Sequence, residues 1–358
     1  MGLLYNSHHL FFLGVPMLTN PSRLLERNIE ELASAQYEQS VTRLLIAYPP
    51  ADSVIELIKS QMPEAGISVL TNLVPVQQQA LRTLPAENVA CSHDLQLLTT
   101  PLDLVVLYLQ KSRPFTSALL DQLCPMLTKN GRILLVGENG EGIKSWRKHL
   151  QEWGEVNIIA NGCHCGLLEL LPAKVARQAD KKAWPEEHFN FDVAGTGVDV
   201  ISLPGVFSHG RLDAGTSLLL ETLSRENIRG QVLDFGCGAG VIGSWLANRH
   251  HRCRPTLLDV DAMALEASRR TLQANRIEGG KVIAGNGLQG LAGRYDWIIS
   301  NPPFHEGVKT RYDVTEAFLL QAKEHLVRGG QLRIVANNFL RYQPLIEEAF
   351  GHLSLIHI

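Results

Sequence analysis

Two short motifs in the second half of the chain contain residue types that can bind a nucleotide-like ligand and hold an amine. The first is the glycine loop Asp234-Phe-Gly-Cys-Gly-Ala-Gly240, which lies between a predicted strand and a predicted helix. Glycines remove the side chains that block backbone approach to a ligand, and the helix N-terminus behind them offers free N–H groups. The second is Asn301-Pro302-Pro303-Phe304, at the end of another predicted strand. Together they indicate a ligand site in this half of the chain.

An acidic residue narrows the type of ligand that the glycine loop can serve. Asp259 follows the loop at the end of the second predicted strand, where a carboxylate can accept hydrogen bonds from ribose hydroxyls. Asp261 is a second candidate for that role, although it is better placed to cap the next helix. A glycine loop followed by an acid is also found in nicotinamide dehydrogenases. These residues alone therefore leave the enzyme class open.

The tetrapeptide Asn301–Phe304 favours chemistry on an exocyclic amine. Such an amine is a poor nucleophile because its lone pair is delocalised into the ring of the base. The Asn301 side-chain oxygen and the Pro302 carbonyl can accept its two hydrogens, which localises the lone pair on nitrogen. The prolines stiffen the loop, and Phe304 can stack on the base. A dehydrogenase would leave this motif without a role, so we expect methyl transfer with Asn301, Pro302 and Phe304 as the catalytic residues.

The elements around these motifs are those of a parallel sheet flanked by helices, because short apolar runs alternate with helical patterns. Asn301 comes directly after one of these strands. We expect that strand to lie next to the strand that leads into the glycine loop. The predicted strands cover Val232–Phe235, Thr256–Val260, Trp297–Ser300 and Gln331–Ala336, and the predicted helices cover Gly240–Asn248, Ala262–Asn275 and Glu316–Leu326.

The first half of the chain contains a weaker copy of this pattern. A strand from Asp103, a helix over Ser117–Leu127 and a second strand after the turn at Gly131 parallel the segment from Asp296 to Gly330. At the positions of the two motifs the first half has Tyr108-Leu109-Gln110 and Tyr48-Pro49-Pro50-Ala51-Asp52 instead. We interpret this as a duplicated domain whose first copy kept the fold and lost the site. The alternative is that any two α/β domains look alike at this level.

The order of the motifs resembles that of class I methyltransferases that act on planar nitrogens, and longer segments give a more specific resemblance. These segments are similar to the ribosomal RNA small subunit methyltransferase C family, strongly over residues 200–345 and loosely before that. They are Leu203-Pro-Gly-Val-Phe-Ser208, Leu212-Asp-Ala-Gly-Thr-Ser-Leu-Leu-Leu220, Ile299-Ser-Asn-Pro-Pro-Phe-His305, Leu332-Arg-Ile-Val-Ala-Asn337 and Val136-Gly-Glu-Asn139. The resemblance implies two tandem Rossmann-like α/β domains, the first a degenerate copy without cofactor motifs.

The same resemblance implies methylation of a guanine N2 in 16S rRNA with S-adenosyl-L-methionine as cofactor. Asp259 would hold the ribose, Asn286 would lie by the adenine, and Asp213, Gly215 and Thr216 would close over the methionine end. With the loop, the expected cofactor-binding residues are Asp213, Gly215, Thr216, Asp234, Gly236, Gly238, Gly240, Asp259 and Asn286. The expected partner is 16S rRNA, possibly within the 30S subunit, and the expected state is a monomer.

The polar stretch Ala173–Glu187 is the expected boundary region between the domains. Residues 17–185 would form the degenerate domain and residues 190–358 the catalytic one. Residues 1–16 precede the family's usual start and are expected to be an extension. After the helix that ends near Phe350, the fold calls for two more strands, and Gly351–Ile358 is long enough for one at most. We therefore expect the catalytic domain to be truncated at its C-terminus.

Composition excludes several other classes of protein. The chain has 45% hydrophobic and 19% charged residues and a net charge of −3, which is typical of a globular protein and not of a uniformly basic nucleic-acid binder. Its six cysteines have no disulfide-framework spacing, and no second thiol pair follows Cys163-His164-Cys165, so we expect neither disulfides nor a metal site. No apolar stretch is long enough for a membrane span. These features indicate a cytoplasmic protein.

Other substrates and another role stay open at this stage. DNA adenine N6, a guanine N2 of 23S rRNA and a glutamine amide are also methylated by enzymes with the Asn-Pro-Pro-Phe motif. The duplicated first domain favours RNA, and the segment Leu203–Leu220 favours the small-subunit substrate. A non-catalytic RNA-binding assembly module would be expected to carry a damaged glycine loop or tetrapeptide, and both are intact.

Overall fold

The protein folds into two α/β domains in tandem, joined by a β-hairpin. In the computed structural model the described residues are 17–33, 41–91, 95, 101–178, 183–302, 317–336 and 342–351. Within these ranges no helix is long and apolar enough to cross a membrane. Residues 1–16, for which an extension was expected, Phe304 and residues 352–358 lie outside the described residues.

The first domain is built on a seven-stranded mixed sheet flanked by helices. Its strands are β1 (Arg43–Ala47), β2 (Gly66–Thr71), β3 (Val89–Cys91), β4 (Leu102–Tyr108), β5 (Leu127–Glu138), β6 (Gly154–Gly162) and β7 (Cys165–Pro172). The strand order is β3-β2-β1-β4-β5-β7-β6, with β7 antiparallel to both of its neighbours. Its helices are α1 (Asn20–Ala33), α2 (Val54–Gln61), α3 (Val74–Ala80), α4 (Arg113–Leu123), α5 (Ile143–His149) and α6 (Lys174–Arg177).

The second domain repeats the first five strands of that order. An antiparallel hairpin, β8 (Glu187–Val193) and β9 (Thr196–Ser202), precedes it. Its strands are β10 (Gly230–Phe235), β11 (Cys253–Asp259), β12 (Lys281–Ala284), β13 (Tyr295–Ser300) and β14 (Leu326–Ile334), in the parallel order β12-β11-β10-β13-β14. Its helices are α7 (Ala214–Leu223), α8 (Val241–Arg249), α9 (Ala262–Ala274), the segment 317–322 and α10 (Tyr342–Phe350). The predicted α/β fold with two tandem Rossmann-like domains is confirmed.

Two predicted helices were placed too far along the chain. The helix expected over Ser117–Leu127 runs from Arg113 to Leu123, and Leu127 already belongs to β5. Likewise the helix expected to reach Leu326 is followed by a 3₁₀ turn at Lys323–His325, and Leu326 starts β14. In both domains this leucine pairs with the neighbouring strand before a register irregularity, so strand pairing overrides the local helical pattern.

Equivalent hydrogen bonds in the two domains show that the second sheet repeats the first. The Tyr48 N–H donates to the Leu70 carbonyl at 2.7 Å, as the Gly236 N–H donates to the Leu258 carbonyl at 2.8 Å. Asp103 Oδ2 accepts from the backbone at the start of β1, and Asp296 Oδ2 accepts from the backbone in β10. A Cβ at Gly131 would lie 2.6 Å from the Leu102 carbonyl oxygen, and a Cβ at Gly330 would lie 3.0 Å from the Tyr295 carbonyl oxygen.

The two domains contact each other through equivalent loops. The loop after β2 and the loop after β11 pair antiparallel at Leu73 and Asp261. The Val74 N–H donates to the Val260 carbonyl at 3.0 Å, and the Ala262 N–H donates to the Asn72 carbonyl at 2.7 Å. The two residues joined by one bond are the equivalents, in the opposite domains, of the two joined by the other bond. The contact is therefore self-complementary, as in the isologous interface of a two-fold dimer. A hydrophobic cluster continues through both domains around this contact.

Candidate active site

The glycine loop joins the end of β10 to the start of α8 in a backbone conformation that suits glycine. Gly236, Gly238 and Gly240 have φ values of +69°, +54° and +75°. No heavy atom lies within 4 Å of a Cβ placed at Gly236, whereas a Cβ at Gly240 would be 3.0 Å from Ser268 Oγ. The loop therefore presents bare backbone on one side and packs tightly against α9 on the other.

The sequence analysis missed a serine that supports this loop. Ser268 of α9 is fully buried, and its Oγ donates to the Gly238 carbonyl at 2.9 Å. The Cys237 thiol lies 3.3 Å from the same Oγ and is buried, which raises its pKa well above the ordinary value. Cys237 is thus an unreactive packing residue. The sequence signal that could have identified Ser268 is its place among apolar residues on the buried face of a helix.

Asp234 is fully buried directly below the loop and carries an oxygen atom with no partner. Its Oδ2 accepts a hydrogen bond from the Gly243 N–H at 2.9 Å. Its Oδ1 has no hydrogen-bond partner among the described residues. Burial, and to a smaller extent the charge of Asp259, raises the pKa of Asp234 to about 7. A buried carboxylate with an unpaired oxygen next to an open loop is suited to receive a cationic group.

Asp259 lies at the end of β11 with its carboxylate turned toward the glycine loop. The Gly238 N–H donates to Asp259 Oδ2 at 2.9 Å, and the Asp261 N–H donates to Oδ1 at 3.0 Å. Burial raises the pKa of Asp259, while these N–H donors lower it. Asp261 accepts from the Met263 N–H at 2.7 Å, which confirms its predicted role as the cap of α9. Burial and the Asp259 charge raise the pKa of Asp261 to about 7.

Asn286 lies in the loop after β12, on the same edge of the sheet as Asp259. Its side chain is exposed. The adjacent Gly285 donates its N–H to the Asp259 carbonyl at 3.0 Å, which holds this loop against the end of β11. The structure therefore brings Asn286 beside Asp259 at the edge of the site.

Asn301 is held at the end of β13 by the start of α7. Its Nδ2 donates to Asp213 Oδ2 and to Thr216 Oγ1, each at 2.9 Å. Asp213 also caps α7 by accepting from the Thr216 N–H at 2.9 Å. A Cβ at Gly215 would lie 3.1 Å from Asp213 Oδ2, so the glycine leaves that oxygen room to accept. Asp213 and Thr216, which were expected near the cofactor together with Gly215, thus hold the Asn301 amide.

The two motifs lie side by side, as predicted, because β13 pairs with β10 in parallel. Ser300, which the sequence analysis also missed, is fully buried and donates its Oγ to the Phe235 carbonyl at 2.7 Å. This bond ties the strand end before Asn301 to the strand end before the glycine loop. Pro302 is buried next to Asn301, and Phe304 lies outside the described residues. Over the described ranges no three metal-ligating side chains come together.

The arrangement fits a nucleoside with a cationic tail. The bare loop and the Asp259 carboxylate form one edge of the site, and the unpaired Asp234 oxygen lies beneath it. On the neighbouring strand the Asn301 amide has its nitrogen engaged, so its oxygen is the end left to accept hydrogens from a substrate.

Comparisons with known proteins show which family this chain resembles along most of its length. The family model "Methyltransferase small domain" matches residues 197–357, and "Methyltransferase small domain N-terminal" matches residues 22–188. Ribosomal RNA small subunit methyltransferase C of Pseudomonas entomophila is 43% identical over 316 residues, which cover 87% of this chain and 90% of that protein. The protein of the same name from Pseudoalteromonas translucida is 37% identical, over 95% of this chain and 96% of its own length.

A solved structure shows the same fold. It is a T. thermophilus 16S rRNA N2 methyltransferase in complex with AdoMet and guanosine, and it superposes with a TM-score of 0.79. The two share 24% sequence identity, and the match covers 93% of this chain and 87% of that one. The identity and the coverage of the curated relatives establish the family. The chain belongs to the ribosomal RNA small subunit methyltransferase C family.

Proposed function

We propose that this protein transfers a methyl group from S-adenosyl-L-methionine to the exocyclic N2 of a guanine in 16S rRNA. The observation that carries the proposal is the fixed Asn301 amide at the end of β13, beside the glycine loop at the end of β10. The names of the relatives support an rRNA of the small subunit as substrate. The solved T. thermophilus relative, an N2 methyltransferase, holds AdoMet and guanosine.

The residues of the loop fit this cofactor, which supplies an electrophilic methyl group when bound. Gly236, Gly238 and Gly240 would line its path, and Asp259 would accept from the ribose hydroxyls. Asp234 would receive the ammonium of the methionine end at its unpaired Oδ1. Asn286 would lie by the adenine, next to the end of β11.

The residues of the tetrapeptide would activate the acceptor amine. Asn301 Oδ1 and the Pro302 carbonyl would accept the two N2 hydrogens and localise the nitrogen lone pair. As the nitrogen accepts the methyl group it gains positive charge, which these oxygens stabilise, and a proton then leaves to water. Phe304 would stack on the guanine once it is turned out of its helix.

The partner is proposed to be 16S rRNA, in the free form or within the 30S subunit, in the cytoplasm. The chain is proposed to act as a monomer. Support comes from the paired loops at Leu73 and Asp261, because the second domain already occupies the surface of the first that a two-fold partner would use. Residues 17–185 and 190–358 are proposed as the two domains, with the second one catalytic.

A tritium-transfer experiment tests the proposal against the other amines that such a site can methylate. The purified protein is incubated with methyl-labelled S-adenosyl-L-methionine and, in parallel, with deproteinised 16S and 23S rRNA, 30S subunits, DNA and a release factor. We expect label in 16S rRNA or 30S subunits alone, at guanine N2. Label in DNA, 23S rRNA or protein would contradict the proposed substrate. The absence of label from every arm would contradict the proposed methyltransferase activity.

A further inference from the structure

The start of α7 makes a contact with Asn301 that goes beyond capping a helix. We propose that Asp213 and Thr216 are positioning residues that fix the Asn301 side-chain amide with its oxygen toward the acceptor amine. The inference rests on the proposed function and assigns these two residues to the acceptor side of the site. The sequence resemblance had placed them at the methionine end of the cofactor.

The partners of Asn301 select one of two orientations of its amide. The oxygen and nitrogen ends of an asparagine side chain have nearly the same shape, so packing alone does not distinguish them. Here the nitrogen donates to Asp213 Oδ2 and Thr216 Oγ1, each at 2.9 Å. After a half-turn of the amide its oxygen would face a carboxylate, which has no hydrogen to donate. The carboxylate therefore holds Oδ1 on the side away from α7.

The charge of Asp213 also makes Asn301 Oδ1 a better acceptor. A hydrogen bond from the amide nitrogen to a carboxylate is charge-assisted, and it draws electron density along the amide toward the oxygen. The amine nitrogen gains positive charge during methyl transfer, so a more negative Oδ1 stabilises the transition state more than the ground state. Removal of this charge is thus expected to reduce the rate of the chemical step.

The first domain contains the same framework without the chemistry. Tyr108 occupies the place of Asn301, because each lies at the same distance after the register irregularity in its strand. At the start of α1 the Ser22 hydroxyl lies 2.9 Å from the Tyr108 hydroxyl, as Thr216 contacts Asn301. Thr19 stands where α7 has Asp213. Only the second domain combines an amide with a carboxylate at this contact.

Thr216 joins the cap of α7 to the Asn301 amide from a buried position. Thr216 is 6% exposed. Its hydroxyl accepts from Asn301, and its N–H is bound by Asp213, so one residue connects the helix cap to the amide. A Cβ at Gly215 would lie 3.5 Å from the Val335 side chain, just after β14. The start of α7 is therefore seated against the strand ends that carry the site.

Two substitutions and a rescue test the role. Asp213→Asn keeps an oxygen that can cap α7 and removes the charge, and Thr216→Val removes the acceptor hydroxyl at constant shape. Asp213→Asn should lower kcat for labelling of 16S rRNA by about ten- to a hundredfold, the range for a hydrogen bond to a charged group, and Thr216→Val by about two- to tenfold, the range for a neutral one. Thr216→Ser should restore most of kcat. The Kd of S-adenosyl-L-methionine, measured by calorimetry, should stay unchanged in all three variants.

A matched control separates positioning from folding. Thr222→Val removes another α7 hydroxyl, which donates to the Leu219 carbonyl at 2.7 Å away from the site, and should leave kcat unchanged. A raised Kd for the cofactor at unchanged kcat in the Asp213 and Thr216 variants would overturn the inference. It would show instead that these residues contact the methionine end of the cofactor. Unchanged kcat and Kd would overturn it as well. Failure of the unsubstituted protein to label guanine would instead contradict the proposed function.

Discussion

Asp234 is a residue whose chemistry the fold changes strongly. An aspartate exposed to water is ionised throughout the neutral range, but burial raises the pKa of Asp234 to about 7. Folding therefore favours its protonated form, and the stability that this contributes is lost as the pH rises toward 7. A bound ammonium reverses the preference because it pairs with the ionised form.

We therefore predict that the affinity for S-adenosyl-L-methionine depends on pH. Below about pH 7 the carboxyl must lose its proton before it pairs with the ammonium, so Kd should rise about tenfold per pH unit as the pH falls. Calorimetry between pH 5.5 and 7.5 measures it. In Asp234→Asn the dependence should vanish at a uniformly weak affinity, whereas Asp261→Asn, which removes another carboxyl group with a pKa of about 7, should retain it. A Kd independent of pH in the unsubstituted protein would contradict the assignment.

Asn301 and Phe304 are predicted to affect different kinetic constants. Asn301→Ala should lower kcat by roughly a hundredfold or more, because it removes an acceptor that acts mainly in the transition state. Phe304→Ala should lower kcat/KM for the RNA, since stacking on a base contributes about 1–3 kcal/mol. Neither change should alter the Kd of the cofactor. Loss of cofactor binding by a variant that is still folded would show that its residue belongs to the other half of the site.

At the scale of elements, the turn from β10 into α8 combines a left-handed backbone with close packing on α9. We predict that Gly240→Ala lowers the free energy of unfolding by more than Gly279→Ala. Both glycines have positive φ, +75° and +82°, which costs an alanine about 1–2 kcal/mol. Only at Gly240 would the new Cβ also lie 3.0–3.1 Å from atoms of Ser268 and Leu257. Urea denaturation compares the two variants, and equal losses would mean that packing on α9 does not restrict the loop.

The whole molecule contains two copies of one sheet and one copy of the site. In the first domain Tyr48 stands in the place of Gly236 with the same sign of φ, +55°, and its ring is 4% exposed. A buried ring thus fills the place where the second domain presents bare backbone. Calorimetry of the full chain should therefore give one molecule of S-adenosyl-L-methionine per chain. A stoichiometry of two would show that the first domain still binds it.

The paired loops link the first domain to the proposed cofactor site of the second. Asn72 Nδ2 donates to Asp261 Oδ2 at 2.8 Å, and the Asp261 N–H in turn donates to Asp259. We predict that Asn72→Ala weakens cofactor binding several-fold although Asn72 lies in the other domain, because Asp261 then loses a partner that helps to hold the Asp259 carboxylate in place. Asn28→Ala, which removes a bond to the Leu24 carbonyl within α1, is the matched control. Equal Kd values for the two variants would contradict this coupling.

The fold class, the duplication and the places of the two motifs at the ends of β10 and β13 could be predicted from the sequence. Each of these depends on patterns within a short segment: glycines before a helix, an acid at a strand end, or an Asp and a Gly that frame a strand pair. Helix ends were less predictable, because at Leu127 and Leu326 strand pairing decided what the local pattern left ambiguous. Contacts between residues that are far apart in the chain became evident only from the folded structure. Asp213 and Asn301 are 88 residues apart, and Asn72 and Asp261 are 189 apart. Asn301 meets Asp213 because the carboxyl end of β13 lies against the start of α7, and Asn72 meets Asp261 because the loops after β2 and β11 pair between the domains. No local pattern records which distant segments will be neighbours.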